Sequence, residues 1–139
     1  MISAPTRFRL RRENVGPVVV VRFHGFLGAA GATALRSLVE DVLQHESAPV
    51  VVDLAGTTDL DCHAVSALEA LHRHALRRGR YLRVAAVPPR LRGLLDPFDL
   101  HSALGGTGSV AHECRAAGEA GGAGGAGGAP PAEGERVCA

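Results

Sequence analysis

Two short runs of β-branched residues most constrain what this chain can become. "VVVVRF" at 18–23 and "PVVVDL" at 49–54 are too brief for helices and too uniformly apolar for half-exposed strands. Each therefore reads as a strand buried on both faces, the pattern of a sheet covered by helices. Between them, Leu35, Leu38, Val39, Val42 and Leu43 recur at i, i+3, i+4, i+7 and i+8, which predicts an amphipathic helix over about 30–45. After the second run, Val65, Leu68, Leu71, His72, Ala75 and Leu76 mark another helix. It ends at Arg77, Arg78 and Gly79, cations in the last turn and a glycine just beyond. "YLRVAAV" (81–87) reads as a third strand, and Pro88–Pro89 lead into a short helix carrying Leu91, Leu94 and Leu95 that Asp96–Pro97 should stop.

Strand, helix, strand, helix, strand with short links is two consecutive βαβ units, so the central sheet should be largely parallel. "FRLRR" (8–12) adds an N-terminal edge strand, with "ENVG" as its turn, and "SVAHECRAA" (109–117) a last short helix. The expected fold class is α/β, with helices packed on the sheet. One domain should span 7–117. The Gly/Ala/Pro tract at 118–139 holds too little apolar surface to offset its chain entropy and reads as a disordered tail.

Composition narrows the chemistry. The formal net charge of +1 gives no strong attraction to nucleic acid or to an anionic membrane, and every basic residue is arginine, so no Schiff-base or P-loop lysine exists. No apolar run is long enough to span a bilayer, and the N-terminus lacks a signal-peptide core. Cys62, Cys114 and Cys138 are odd in number and widely spaced, the usage of reduced thiols in a cytoplasmic protein. Gly25, Gly28 and Gly31 are spaced GxxGxxG rather than GxGxxG, so the dinucleotide fingerprint fails. Arg73, Arg77, Arg78, Arg80, Arg83, Arg90 and Arg92 form a basic cluster with only Tyr81 to stack on a base. It reads as a solvated helix end, or as a contact for an acidic partner.

The stretch "TTDLDCHAVSAL" (57–68) concentrates the reactive groups. A helical metal pair needs i, i+3 or i, i+4 spacing, which His63, His72 and His74 do not offer with Cys62. His72 falls on the apolar stripe as a partly buried histidine, and His74 reads as exposed. Neighbouring helical residues lie about 100° apart, so Cys62 and His63 make a poor nucleophile–base dyad. No metal, cofactor or enzymatic activity is expected. Asp61 stands where an N-cap belongs, with Leu60 and Val65 placed as a hydrophobic staple.

The strand "VVVDL", the loop "AGTTDL", Asp61 opening the second helix, and "RLRGLLDPFDL" (90–100) together resemble a STAS domain, the fold of bacterial anti-sigma factor antagonists, over about 15–117. The resemblance implies a non-enzymatic cytoplasmic switch that binds an anti-sigma factor, often itself a serine kinase, and so frees a sigma factor. It also implies that phosphorylation at the start of the second helix abolishes binding. The family pattern there is Asp-Ser-Ser-Gly; this chain has Asp61, Cys62, His63 and Ala64, and Gly28 stands where an aspartate is common. Cys62 is then the phosphoacceptor-equivalent switch position, with Asp61, His63, Ala64 and Gly28 as partner-binding motif positions. A thiol is no ordinary substrate of a serine kinase, so a binder without that phosphorylation is expected. The alternatives are a scaffold subunit of another signalling or transport assembly, and a redox switch at Cys62, whose thiolate a helix N-terminus would favour.

Overall fold

A computed structural model describes residues 8–95, 104–105, 108–122 and 136–138. Five strands form one sheet in the order β4-β3-β2-β1-β5. They are β1 (Phe8–Val15), β2 (Val18–Leu27), β3 (Val50–Leu60), β4 (Leu82–Ala85) and β5 (Arg136–Cys138). β2, β3 and β4 run parallel, while β1 is antiparallel to both β2 and β5. Among the described residues four multi-residue helices accompany them: α1 (Ala29–His45), α2 (Cys62–Arg77), α3 (Pro89–Leu95) and α4 (Val110–Gly122).

The valine runs do what uniform burial demands. Val19, Val21 and Phe23 of β2 join Val50, Val52 and Leu54 of β3 in the main core, which α1 and α2 complete with Leu35, Val39, Val42, Leu43, Leu68 and Leu71. The intervening residues Val18, Val20 and Val51 point the other way, into a smaller cluster with Ala85 and Ala117 of α4. The period of two along a strand divides the two cores. On that second face Arg22 and Asp53, register partners across β2 and β3, form a 2.7 Å ion pair, and Arg22 also holds Glu13 of β1 at 3.1 Å.

α2 ends as its sequence predicts. Gly79 adopts φ +64, the Arg80 amide reaches back to the Ala75 carbonyl at 2.8 Å, and the Gly79 amide to Leu76 at 3.1 Å. These are the two bonds of a Schellman motif. Leu76 is a correction: at 65% exposure it lies outside the core, because Ala64, Leu68, Leu71 and Ala75 already fill the stripe that faces the sheet.

Other boundaries also differ. β1 continues through Val15, and the turn is Gly16–Pro17, where φ +61 at the first position and proline at the second give a two-residue type II′ hairpin. β3 does not stop at Leu54 but runs to Leu60 beside β2, which itself reaches Leu27. The pairing slips twice, with an extra β3 residue each time. At the first slip the free Ala55 amide donates to Asp53 Oδ1 at 2.9 Å. Bulged, Gly-containing and partly exposed, this extension has no apolar alternation for sequence reading to detect. β1 is not a bare edge either, since β5 pairs with it from Leu10 to Arg12. Within the stretch read as tail, 118–122 continue α4, whose Ala117 is fully buried, and 136–138 form β5. The expected stop at Asp96–Pro97 falls outside the described residues.

Candidate functional site

The ends of β2 and β3 meet where α1 and α2 begin. The Asp61 amide approaches the Leu27 carbonyl at 3.4 Å, so the first turn of α2 sits beside the Gly28 corner that opens α1. Gly28 caps α1 through its carbonyl alone, bonded from the Ala32 amide at 2.7 Å, with no side-chain acceptor. The Phe26 ring lies over it. A Cβ at Gly28 would stand 2.4 Å from that ring, so an aspartate could enter only by displacing Phe26.

Asp61 is the N-cap of α2, in extended geometry, and its Oδ1 accepts from the His63 amide at 2.9 Å. Oδ2 lies 3.4 Å from His63 Nδ1. Burial raises the Asp61 carboxyl, but bonds from the His63 ring and from the His63 and Ala64 amides outweigh it, leaving its pKa below the ordinary value. Leu60 and Val65 are both buried in the main core, as a staple requires.

Cys62, first residue of α2, is an exposed free thiol. Its neighbour His63 is exposed too, with its ring turned to Asp61, so the two do not form a dyad. Ala64 is fully buried: it seats α2 on the sheet and offers no surface to touch. His72 is half-buried as expected. His74 is a correction, half-buried instead of exposed, because α1 packs along that flank and places Glu40 4.0 Å from its ring. No group of three or more His, Cys, Asp or Glu among the described residues could hold a metal ion.

Around Cys62 the surface is mixed. Thr58, Asp59 and Ser66 are exposed, and the Arg90 guanidinium of α3 donates to the Thr58 carbonyl. Phe26, register partner of Asp59, is 44% exposed, and Leu94, one turn beyond Arg90, is 45% exposed. Sequence reading missed Phe26, which it saw only as part of a failed nucleotide loop, and placed Leu94 with Leu91 and Leu95. Those two are buried; Leu94 faces outward. The i, i+3, i+4 spacing of the three leucines pointed to one shared buried face, but this seven-residue helix buries only Leu91 and Leu95 of it.

A mixed sheet with an antiparallel N-terminal pair, helices on both faces and a capped helix start presented beside the strand ends describes a small α/β domain of defined topology. Residues 10–105 match the family described as "Mlab, STAS domain", and the chain belongs to the STAS domain family. Its fold is similar to an anti-sigma factor antagonist from Mycobacterium paratuberculosis, with a TM-score of 0.71 at 22% identity over 84% of this chain and 98% of the other. It is also similar to the Bacillus cell fate determinant SpoIIAA in its phosphorylated form, with a TM-score of 0.61 at 13% identity over 77% of this chain and 98% of that one. The murine anion transporter Slc26a9 gives 0.64 at 13% identity over 77% of this chain, which spans only 18% of the transporter. No curated protein matches the chain. No helix among the described residues is long and apolar enough to cross a membrane.

Proposed function

We propose that this STAS domain works in the cytoplasm as an anti-sigma factor antagonist whose off-switch is missing. It binds an anti-sigma factor at the α2 start and so regulates sigma-factor-dependent transcription. The observation that carries this reading is the exposed Cys62 thiol, held at the first position of a capped helix where the β2 and β3 ends turn Phe26 outward. Apolar side chains on a polar rim are what a protein partner recognises. Asp61 and His63 border the contact, Gly28 leaves the Phe26 ring room to lie flat, and Ala64 seats the helix.

A phosphate at the start of α2 would add roughly two negative charges in the middle of that contact. A serine kinase needs a hydroxyl to place it, and Cys62 has none. The protein therefore stays competent to bind, and control lies in its abundance or elsewhere on the chain.

The test is incubation with the anti-sigma kinase encoded nearest to it, with ATP, followed by mass spectrometry and a pull-down. The expected result is a stable complex and no phosphate on Cys62, whereas Cys62→Ser accepts phosphate and releases the partner. Stoichiometric phosphate on Cys62, or no complex with either protein, would refute the reading. A second reading, a scaffold subunit of a transport assembly, is favoured by the fold likeness to the Slc26a9 domain. Co-purification with a transporter instead of an anti-sigma factor would establish it. Cys62 as a redox switch predicts that peroxide, and not ATP, dissociates the complex.

A further inference from the structure

The opposite end of the domain carries a second, independent surface. From His72 to Arg83 the chain has five arginines and no acidic residue, although the whole sequence is nearly neutral. Two of these arginines are accounted for within the fold. Arg80 donates to the Glu46 carbonyl, and Arg83 lies 3.6 Å from the buried Glu113 of α4. The other three face solvent: Arg73 only approaches the half-buried Glu69 of its own helix, at 3.9 Å, and Arg77 and Arg78 have no acidic partner among the described residues.

Leu76 stands among them as the most exposed large apolar side chain described, at 65%. On α2, Arg73 and Arg77 are one turn apart and Leu76 lies between them, so the three share one face. A helix C-terminus attracts cations, which favours basic residues in the last turn, but it gives no reason for an outward leucine among them.

We propose that this patch is a docking surface for an acidic amphipathic helix of a partner protein, with carboxylates one turn apart flanking a leucine-sized side chain. Guanidinium forks bind carboxylates through paired bonds, and two forks one helical turn apart match two carboxylates at i and i+4. Leu76 supplies the apolar contact between them. A bilayer is a poorer fit, because one leucine gives far less apolar depth than stable attachment needs. Nucleic acid is poorer too: the chain's net charge of +1 gives little general attraction to a duplex, and Tyr81, the nearby aromatic, is partly buried in the second-face cluster and not free to stack on an unpaired base. The patch lies at the opposite end of α2 from Cys62, so both surfaces can be occupied together.

Fluorescence anisotropy on the full chain tests this. The probe is a labelled synthetic helix with glutamates at i, i+4 around a central leucine. Binding should weaken steeply between about 50 and 300 mM salt, as exposed charge contacts do. Arg73→Glu with Arg77→Glu should lose about tenfold or more in affinity, and Leu76→Ser about threefold to tenfold. Arg73→Gln with Arg77→Gln, which adds no negative charge to the helix, decides the matter if the Glu pair unfolds. Cys62→Ser and Phe26→Ala should bind the probe as the parent does, which separates failure here from failure of the proposed function. The proposal is overturned if the arginine variants bind the probe unchanged, or if a leucine-free probe binds equally well. It is also overturned if phosphatidylglycerol vesicles or a short duplex DNA bind more tightly than the probe.

Discussion

Replacing Asp61 should show how much the α2 start depends on one carboxylate. Asp61→Ala removes the acceptor of the His63 amide and the partner of the His63 ring. Losing an N-cap of this kind costs about 1 kcal/mol, within a range of roughly 0.5–2. For a domain of this size that lowers the unfolding midpoint by about 4–8 °C. Asp61→Asn keeps an acceptor oxygen and loses only the charge, whose attraction to the helix dipole is about 0.3–1 kcal/mol and is screened at this partly exposed position. The pH dependence has a definite sign. The folded carboxyl titrates below its ordinary value of 3.8, so the unfolded chain takes up the proton first as pH falls. The contribution is fully present above 3.8 and is lost as pH drops through the lower folded value. Urea unfolding of the parent, Asn and Ala proteins at neutral pH and at successively lower pH measures this. Parent and Asn curves should converge in acid. An Ala variant as stable as the parent at neutral pH, or a parent–Asn gap that widens on acidification, would refute the capping argument.

Three further outcomes follow from the packing. Leu71→Ala, at a fully buried position where α2 meets the main core, should cost about 2–5 kcal/mol in denaturant unfolding. Gly79→Ala, forced into φ +64, should cost about 1–2 kcal/mol with the Schellman bonds otherwise intact, measured the same way. Burial pushes the Cys114 thiol up, so a thiol reagent at mild alkaline pH should modify exposed Cys62 in a fast phase and Cys114 in a slower one. Equal rates would mean that α4 does not pack Cys114 against the second face of the sheet.

The order of strands and helices was legible because two valine runs and two helical stripes left few alternatives. The α2 cap was legible as well, since Asp61 before an apolar-periodic stretch is a local signal, and so was its Gly79 ending. What escaped reading was nonlocal. The extension of β3 through Ala55–Leu60 is held by bulged pairing to β2, and no alternation announces it. The outward turn of Leu76 and Leu94 depends on which residues already fill the sheet-facing stripe. Phe26 and Arg90 join the Cys62 surface only because β2, β3 and α3 converge in space; in sequence they lie far from position 62. His74 looked exposed because nothing near it in the chain reveals that α1 covers it.

Rows of identical side chains carry a hidden ambiguity, since a valine strand could slide along its neighbour and meet valine again. The Arg22–Asp53 pair removes it. If β3 slid by one position, Asp53 would turn into the main core; displaced by two, the nearly buried Asp53 would lose its guanidinium, a penalty of about 3–5 kcal/mol for an uncompensated buried charge. One ion pair beneath α4 thus acts as an alignment pin for the sheet. The placement of every loop at the Cys62 end follows from it.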